Sequence, residues 1–149
     1  LVNITEYCGD LMKANDMNKP SLNSTPLDYD LDGDDDIILG FGSADHVLLL
    51  ENKTGTKNNW ISVSLTGNGY TTNKSAIGAK VEVHVRDEVL TQYIDAGNGH
   101  QGPQEPFDLI FGIGNSCKVN SVTVTWPDKE QNKTVIINPQ INKRLIIEQ

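Results

Sequence analysis

Apolar and polar residues alternate with a period of two along most of the second half of the chain. In the first such segment, Ile61, Val63 and Leu65 fall on one face and serines on the other. A period of two is typical of a strand with one buried face. The segments with this pattern are 60–65, 79–85, 122–126 and 143–148. None has a helical period, so the pattern predicts an all-β domain of sandwich or barrel type.

The first half of the chain has a different pattern. Two short apolar runs, Asp36–Phe41 and His46–Glu51, have strand length and are expected to pair as a hairpin. Residues 1–26 contain two prolines and no clear period, so we predict an irregular, extended arm in which only Leu1–Thr5 resembles a strand. The predicted parts are an arm, a loop with a hairpin, and a β domain, at 1–26, 27–57 and 58–149.

Most of the acidity of the chain lies in one segment. The 149 residues contain 12 Lys and Arg against 20 Asp and Glu, a net charge of −8. Six of those acids lie in residues 28–36, with no cation among them. The acidic balance argues against a nucleic-acid partner. No apolar run approaches the length of about 20 residues that a membrane helix requires, so we expect no membrane insertion.

The acidic segment has the spacing of a calcium loop. The predicted ligands occupy positions 1, 3, 5, 7 and 9 of D-x-D-x-D-G-x-x-D: Asp28, Asp30, Asp32, Asp34 and Asp36. Calcium prefers six to eight oxygen ligands, Gly33 permits a sharp turn, and Asp34 would contribute its backbone carbonyl. Leu39 stands where an EF-hand needs Glu, and no helix follows. The alternatives are a solvated acidic turn and Mg²⁺.

The chain has more glycosylation signals than its composition explains. With 15 Asn and 19 Ser and Thr in 149 residues, chance predicts about two Asn-x-Ser/Thr triplets. Five are present, at Asn3, Asn23, Asn52, Asn73 and Asn132. They predict N-glycosylation and an extracellular location. The alternative is accidental triplets in an organism that does not use them.

The two cysteines, Cys8 and Cys117, suggest one disulfide that joins the arm to the main body, as expected for a secreted chain. Such a bridge would close a loop of about 100 residues and stabilise the fold by about 4–5 kcal/mol in the chain-entropy model. Two free thiols are the alternative.

The β domain resembles the ASPIC/UnbV family. The resemblance rests on segments that occur in the family's order at 59–67, 75–83, 97–104, 111–114 and 122–128. The acidic loop and the strand after it resemble the calcium loops of FG-GAP and VCBS propeller repeats. Together these resemblances imply an extracellular β-rich module next to a partial calcium-binding repeat, with no catalytic residues.

The remaining candidate residues do not favour an enzyme. The three histidines do not form a ligand or nucleophile pattern, and nothing else supports Glu105 and Asp108 as a glycosidase pair. His84 is expected to point outward, and His100 belongs to a Gly-rich turn for which packing or sugar binding is open. Trp60 and Trp126 suit core packing, with sugar stacking as the alternative. We therefore expect a non-enzymatic module.

The hairpin is too small to be stable alone. A propeller blade has four strands, and two isolated strands are marginal in water. The hairpin must therefore pack on its own β domain or on a neighbouring copy. The unpaired arm suggests that subunits join head to tail by strand donation, into a filament. The competing hypothesis is a monomeric adhesion module that binds a glycan or a receptor, cut from a longer chain.

Overall fold

The computed structural model of the chain describes residues 21–41, 47–53, 58–97 and 104–149. These residues form ten strands in three sheets, which confirms the all-β prediction. The strands are β1 Ser21–Leu27, β2 Asp36–Phe41, β3 Val47–Leu50, β4 Asn59–Thr66, β5 Lys80–Val85, β6 Glu88–Tyr93, β7 Leu109–Gly114, β8 Ser121–Thr125, β9 Lys133–Ile137 and β10 Arg144–Glu148. In these ranges there is no helix, and so none that is long and apolar enough to cross a membrane.

Two of the sheets pack face to face as a sandwich. The smaller sheet has the order β10-β4-β7, with β10 parallel and β7 antiparallel to β4. The larger sheet has the order β6-β5-β8-β9 and is antiparallel throughout. At one side of the sandwich, Nε2 of the Gln92 side chain donates to the carbonyl oxygen of Ile110 at 2.8 Å, which joins β6 to β7. The sandwich remains open and does not close into a barrel.

The core of the sandwich consists of the inward residues of the alternating strands. On β4 these are Ile61, Val63 and Leu65, and β5 contributes its three valines. Phe111 of β7 and Trp126, which follows β8, are the largest side chains buried there. Because apolar side chains occupy the inward faces of the central strands β4, β5 and β8, the period of two in the sequence identifies the core correctly.

The third sheet lies N-terminal to the sandwich and has the order β1-β2-β3. The predicted hairpin is confirmed in β2 and β3, which pair antiparallel with Ile37 opposite Leu50. The prediction of an irregular arm at 1–26 is wrong for residues 21–26, because Ser21–Leu27 forms β1. Proline is tolerated there because β1 is at the edge of the described sheet. The rest of the arm lies outside the described residues.

Three further strands were not apparent from the sequence. β6 and β9 are edge strands with polar residues between their apolar ones, and β7 contains two glycines. Edge strands bury one face only partly, so their apolar positions are fewer and their pattern is weaker. His84 points outward from β5, as predicted, although β5 lies inside its sheet.

Candidate metal centre

The acidic loop connects β1 to β2. The last residue of β1, Leu27, pairs with the first residue of β2, Asp36, so the two ends of the loop are held side by side. Within the loop the backbone turns through two left-handed residues, Leu31 with φ of 63° and Gly33 with φ of 92°. Glycine adopts this conformation at little cost, whereas leucine does so only under constraint. The loop is thus a tight turn between paired strands.

Backbone N–H groups of the loop donate to its own carboxylates. The N–H of Asp32 donates to Oδ1 of Asp28 at 3.0 Å and lies 3.3 Å from Oδ1 of Asp30. The N–H of Gly33 donates to Oδ2 of Asp28 at 3.1 Å. Asp34 donates its N–H to Oδ1 of Asp32 at 3.1 Å. These bonds fix the directions of the carboxylates and draw Asp28 and Asp30 toward one point.

Asp36 lies at the end of the loop, as the first residue of β2. It is only 1% exposed, and its Oδ2 accepts the N–H of Tyr29 at 3.0 Å. Its Oδ1 accepts the N–H of Asn52 at 2.7 Å, just after β3. The side-chain amide of Asn52 also lies 3.4 Å from the carbonyl oxygen of Asp35. The buried carboxylate at the start of β2 therefore ties the loop to the segment that follows β3.

Three carboxylates of the loop converge. One oxygen from each of Asp28, Asp30 and Asp36 lies within 4.8 Å of the other two. In the part of the chain that the structure describes, no Lys or Arg forms an ion pair with any of these three. Carboxylate oxygens are the donors that a hard cation such as Ca²⁺ prefers, so the donor set fits this ion. The predicted ligands Asp32 and Asp34 lie outside the converging group.

Burial of two carboxyl groups in the loop opposes their ionisation. Burial raises the pKa of Asp28 above its usual 3.8, and the charge of Asp32 acts in the same direction against backbone hydrogen bonds that lower it. The pKa of Asp35 is also raised, first by burial and then by the charges of Asp36 and Glu105. Both shifts indicate carboxyls whose charged form is disfavoured first by burial and then by neighbouring carboxylates.

The loop packs against the sandwich through Trp60. A methyl group placed on the α-carbon of Gly33 would lie 2.1 Å from Cδ2 and Cε2 of the Trp60 indole. Trp60 is the second residue of β4 and is half-buried on the outer face of that sheet. The predicted core role of Trp60 is therefore wrong, whereas Trp126 is 1% exposed and lies in the core as predicted. A tryptophan on the polar face of an alternating strand was the sequence signal for this contact.

Hydrogen bonds from the far end of the chain hold the backbone of Trp60. The N–H of Trp60 donates to Oδ1 of Asn142 at 3.0 Å, and the N–H of Asn142 donates to the carbonyl oxygen of Trp60 at 2.7 Å. Nδ2 of Asn142 also donates to Oδ1 of Asn59 at 2.8 Å. Asn142 precedes β10 and is left-handed, with φ of 54°. These contacts span more than 80 residues, so no local pattern could have predicted them.

A cleft of about 560 Å³ lies between the loop and the outer face of the β10-β4-β7 sheet. Leu31 and Trp60 contribute apolar surface to it, and Asp35 and Glu105 contribute carboxylates. On the opposite side, Nη2 of Arg144 binds Asp108, at 2.8 Å from Oδ1 and 2.7 Å from Oδ2. Asp108 is therefore engaged in an ion pair.

The predicted disulfide and glycan sites are only partly within the described residues. Cys117 is exposed and forms no disulfide with another described residue, while Cys8 lies outside the described residues, so their pairing stays a prediction. Asn3 and His100 also lie outside them. Of the other sequon asparagines, Asn23, Asn73 and Asn132 are exposed and Asn52 is half-buried. Their glycosylation likewise stays a prediction.

Fold and site together define a class of protein: an all-β module in which a sandwich carries a three-stranded sheet with a carboxylate-rich loop. The profile of the family described as ASPIC and UnbV matches residues 69–149, more than half of the chain. The chain belongs to the ASPIC/UnbV family, as its sequence segments indicated.

Two curated relatives carry the name cartilage acidic protein 1. The chain is 34% identical to that of Xenopus tropicalis over 124 residues and 32% identical to that of Homo sapiens over the same length. Each match covers 80% of this chain and 18% of the relative. The chain thus spans less than a fifth of the length of these relatives.

Proposed function

We propose that the chain is a non-enzymatic, calcium-stabilised structural module of an extracellular glycoprotein, in which Asp28, Asp30 and Asp36 hold Ca²⁺. The observation that carries this proposal is the convergence of these three carboxylates around buried Asp36. Asp32 and Asp34, which lie in the same loop outside the converging group, would add further oxygens, Asp34 through its backbone carbonyl. The ion supplies the positive charge that draws these oxygens together.

The electrostatics of the loop support the proposal. Burial is the first cause of the raised pKa values of Asp28 and Asp35, and the charges of neighbouring carboxylates act in the same direction, so a bound cation would offset both effects. A divalent cation would remove two of the six negative charges of residues 28–36. With the cation bound, the loop would stabilise the junction of β1, β2 and β3.

The three-stranded sheet supports an interpretation as a partial FG-GAP/VCBS repeat. Its loop joins antiparallel strands and is followed by a strand that contains Leu39, so it differs from an EF-hand, whose loop is followed by a helix. A propeller blade has four strands, one more than the described sheet. The proposed repeat would therefore be a single incomplete blade.

An extracellular location is supported by the five sequons and by the likeness to cartilage acidic protein 1. We expect glycans at the exposed Asn23, Asn73 and Asn132, and also at Asn3 and Asn52. In the same compartment Cys8 and Cys117 would form a disulfide.

Self-association is the proposed use of the incomplete blade. Within the described ranges, β3 pairs with β2 on one side only, and Val47 at its start is 74% exposed. A strand donated by a neighbouring copy would complete this edge and join subunits head to tail. If deletion of residues 1–6 leaves the sedimentation profile and the particles seen by electron microscopy unchanged, strand donation by the arm is wrong.

The cleft favours a second candidate, a monomeric module that binds a glycan or receptor. Its combination of an indole, carboxylates and the Arg144 guanidinium suits a polar ligand with one apolar face. Sedimentation distinguishes the candidates, because a monomeric module keeps a mass near 16.4 kDa plus glycans at all concentrations.

Calorimetric titration with Ca²⁺ tests the proposed metal site. Asp30→Asn removes one ligand charge, and Asp95→Asn is its matched control. Both aspartates are exposed, and each accepts at 3.3 Å the N–H two residues ahead. We expect Asp30→Asn to weaken calcium binding at least about tenfold and Asp95→Asn to leave it unchanged. Equal binding by both variants would contradict the site, as would a wild-type chain that binds no calcium.

A further inference from the structure

The contact between the acidic loop and Trp60 links the candidate ligands to the sandwich. The N–H of Gly33 donates to Oδ2 of Asp28, a member of the converging group. The opposite side of Gly33 lies against the Trp60 indole. Any movement of the ring away from the loop would release Gly33, and with it the orientation of Asp28.

Trp60 itself is held from the sandwich side. Its backbone exchanges two hydrogen bonds with Asn142, and Asn142 is held in turn by Asn59. Trp60 belongs to β4, which is the middle strand of its sheet and contributes Ile61 to the core. A continuous series of contacts therefore runs from the sandwich core through Asn142 and Trp60 to Gly33 and Asp28.

We infer that Trp60 is a positioning residue for the metal loop, and that cation binding is thermodynamically coupled to packing of the loop on the sandwich. This inference rests on the proposed calcium site. The packed indole holds Gly33, and through its N–H Asp28, in the geometry that binds the ion. By reciprocity, the bound ion stabilises the contact between the three-stranded sheet and the sandwich.

Calcium affinity measured by calorimetry on the full chain tests the coupling. We expect Trp60→Ala to weaken calcium binding about tenfold, within the usual range of coupling between sites. Trp60→Phe, which keeps a planar ring, should recover part of the affinity. Tyr70→Ala is the control, because Tyr70 is an aromatic residue with 96% exposure and no described contact with the loop. Unchanged affinity in Trp60→Ala would overturn the coupling.

Fluorine NMR gives a second readout on the wild-type chain, for which a variant is needed only to assign the resonances. The chain contains only two tryptophans, so 5-fluorotryptophan labelling gives two resonances, and Trp60→Phe assigns them. Calcium should shift the Trp60 resonance and leave that of Trp126, buried in the sandwich core, in place.

The two proposals fail in different ways. A wild-type chain that binds calcium while the Trp60 resonance stays fixed overturns the coupling alone. A wild-type chain that binds no calcium overturns the metal site and the coupling with it.

Discussion

The α-carbon of Gly33 lies so close to the indole of Trp60 that no side chain fits between them. A methyl group there would come within 2.2 Å of three ring atoms. The contact joins the loop between β1 and β2 to the second residue of β4, and thus connects the three-stranded sheet to the sandwich. Through this contact the loop packs on the sandwich.

The first prediction concerns the steric part of this contact. Gly33→Ala should lower the free energy of unfolding by about 2–4 kcal/mol, because it adds overpacking of about 1–3 kcal/mol to a left-handed penalty of about 1 kcal/mol. In a Trp60→Ala background only the left-handed penalty should remain. Urea unfolding of the four chains measures both values. An equal loss in the two backgrounds would refute the contact.

The second prediction concerns Leu31, which is left-handed and 67% exposed. Asparagine tolerates this conformation better than leucine does, so Leu31→Asn should stabilise the chain by about 1 kcal/mol when calcium is chelated. Leu31→Ala is the control, since it removes the same apolar side chain without the tolerance of asparagine. If the two variants have equal thermal midpoints, Leu31 does not store the strain inferred from its φ.

The third prediction concerns Trp126. Its indole Nε1–H donates to Oγ1 of Thr134 at 2.9 Å. Thr134→Val keeps the shape but leaves this buried donor without its acceptor, which should cost about 1–3 kcal/mol. Thr134→Ser keeps the hydroxyl and also the sequon of Asn132, so it should cost less. Denaturant unfolding of protein made without glycosylation separates the effect of the hydrogen bond from that of any glycan. Equal stability of the two variants would contradict a stabilising role of this hydrogen bond.

The fourth prediction concerns Asp128. The backbone N–H of Asn132 and its side-chain amide donate to this carboxylate at 2.9 and 3.0 Å and lower its pKa below the usual 3.8; Nε2 of Gln149, at 2.8 Å, acts in the same direction. A carboxyl whose pKa is lowered by folding stabilises the fold at pH values above its usual pKa. This stabilisation is lost as the pH falls through the pKa of the folded state.

Asp128→Asn should therefore lower the thermal midpoint near neutral pH, and its difference from wild type should close as the pH falls below about 3.8. Thermal unfolding of both chains over a pH series gives the two curves. A difference that stays constant throughout the series would show that the carboxylate charge contributes nothing.

The sequence predicted those parts of the molecule that depend on local pattern. Val81 and Val83 alternate with polar residues and are buried, and the aspartate spacing identified the loop in which Asp28, Asp30 and Asp36 converge. Strand β1 was missed because Pro20 and Pro26 read as breakers, although an edge strand such as β1 tolerates Pro26.

Contacts between distant segments could not be predicted in this way. The place of Trp60 against Gly33 depends on how two sheets pack, and the bond to Asn142 joins residues 82 positions apart. The restriction of the converging group to three aspartates depends on the fold of the loop backbone, which spacing alone does not determine.

Thermal unfolding with and without calcium tests the central claim most directly. For the wild-type chain we predict a midpoint about 5–10 °C higher in saturating Ca²⁺ than in chelator, because a ligand at about 100 times its Kd stabilises by about 2.7 kcal/mol. Asp95→Asn should show the same difference, and Asp30→Asn should lose most of it. A wild-type midpoint that is the same in calcium and in chelator would contradict a calcium-stabilised module.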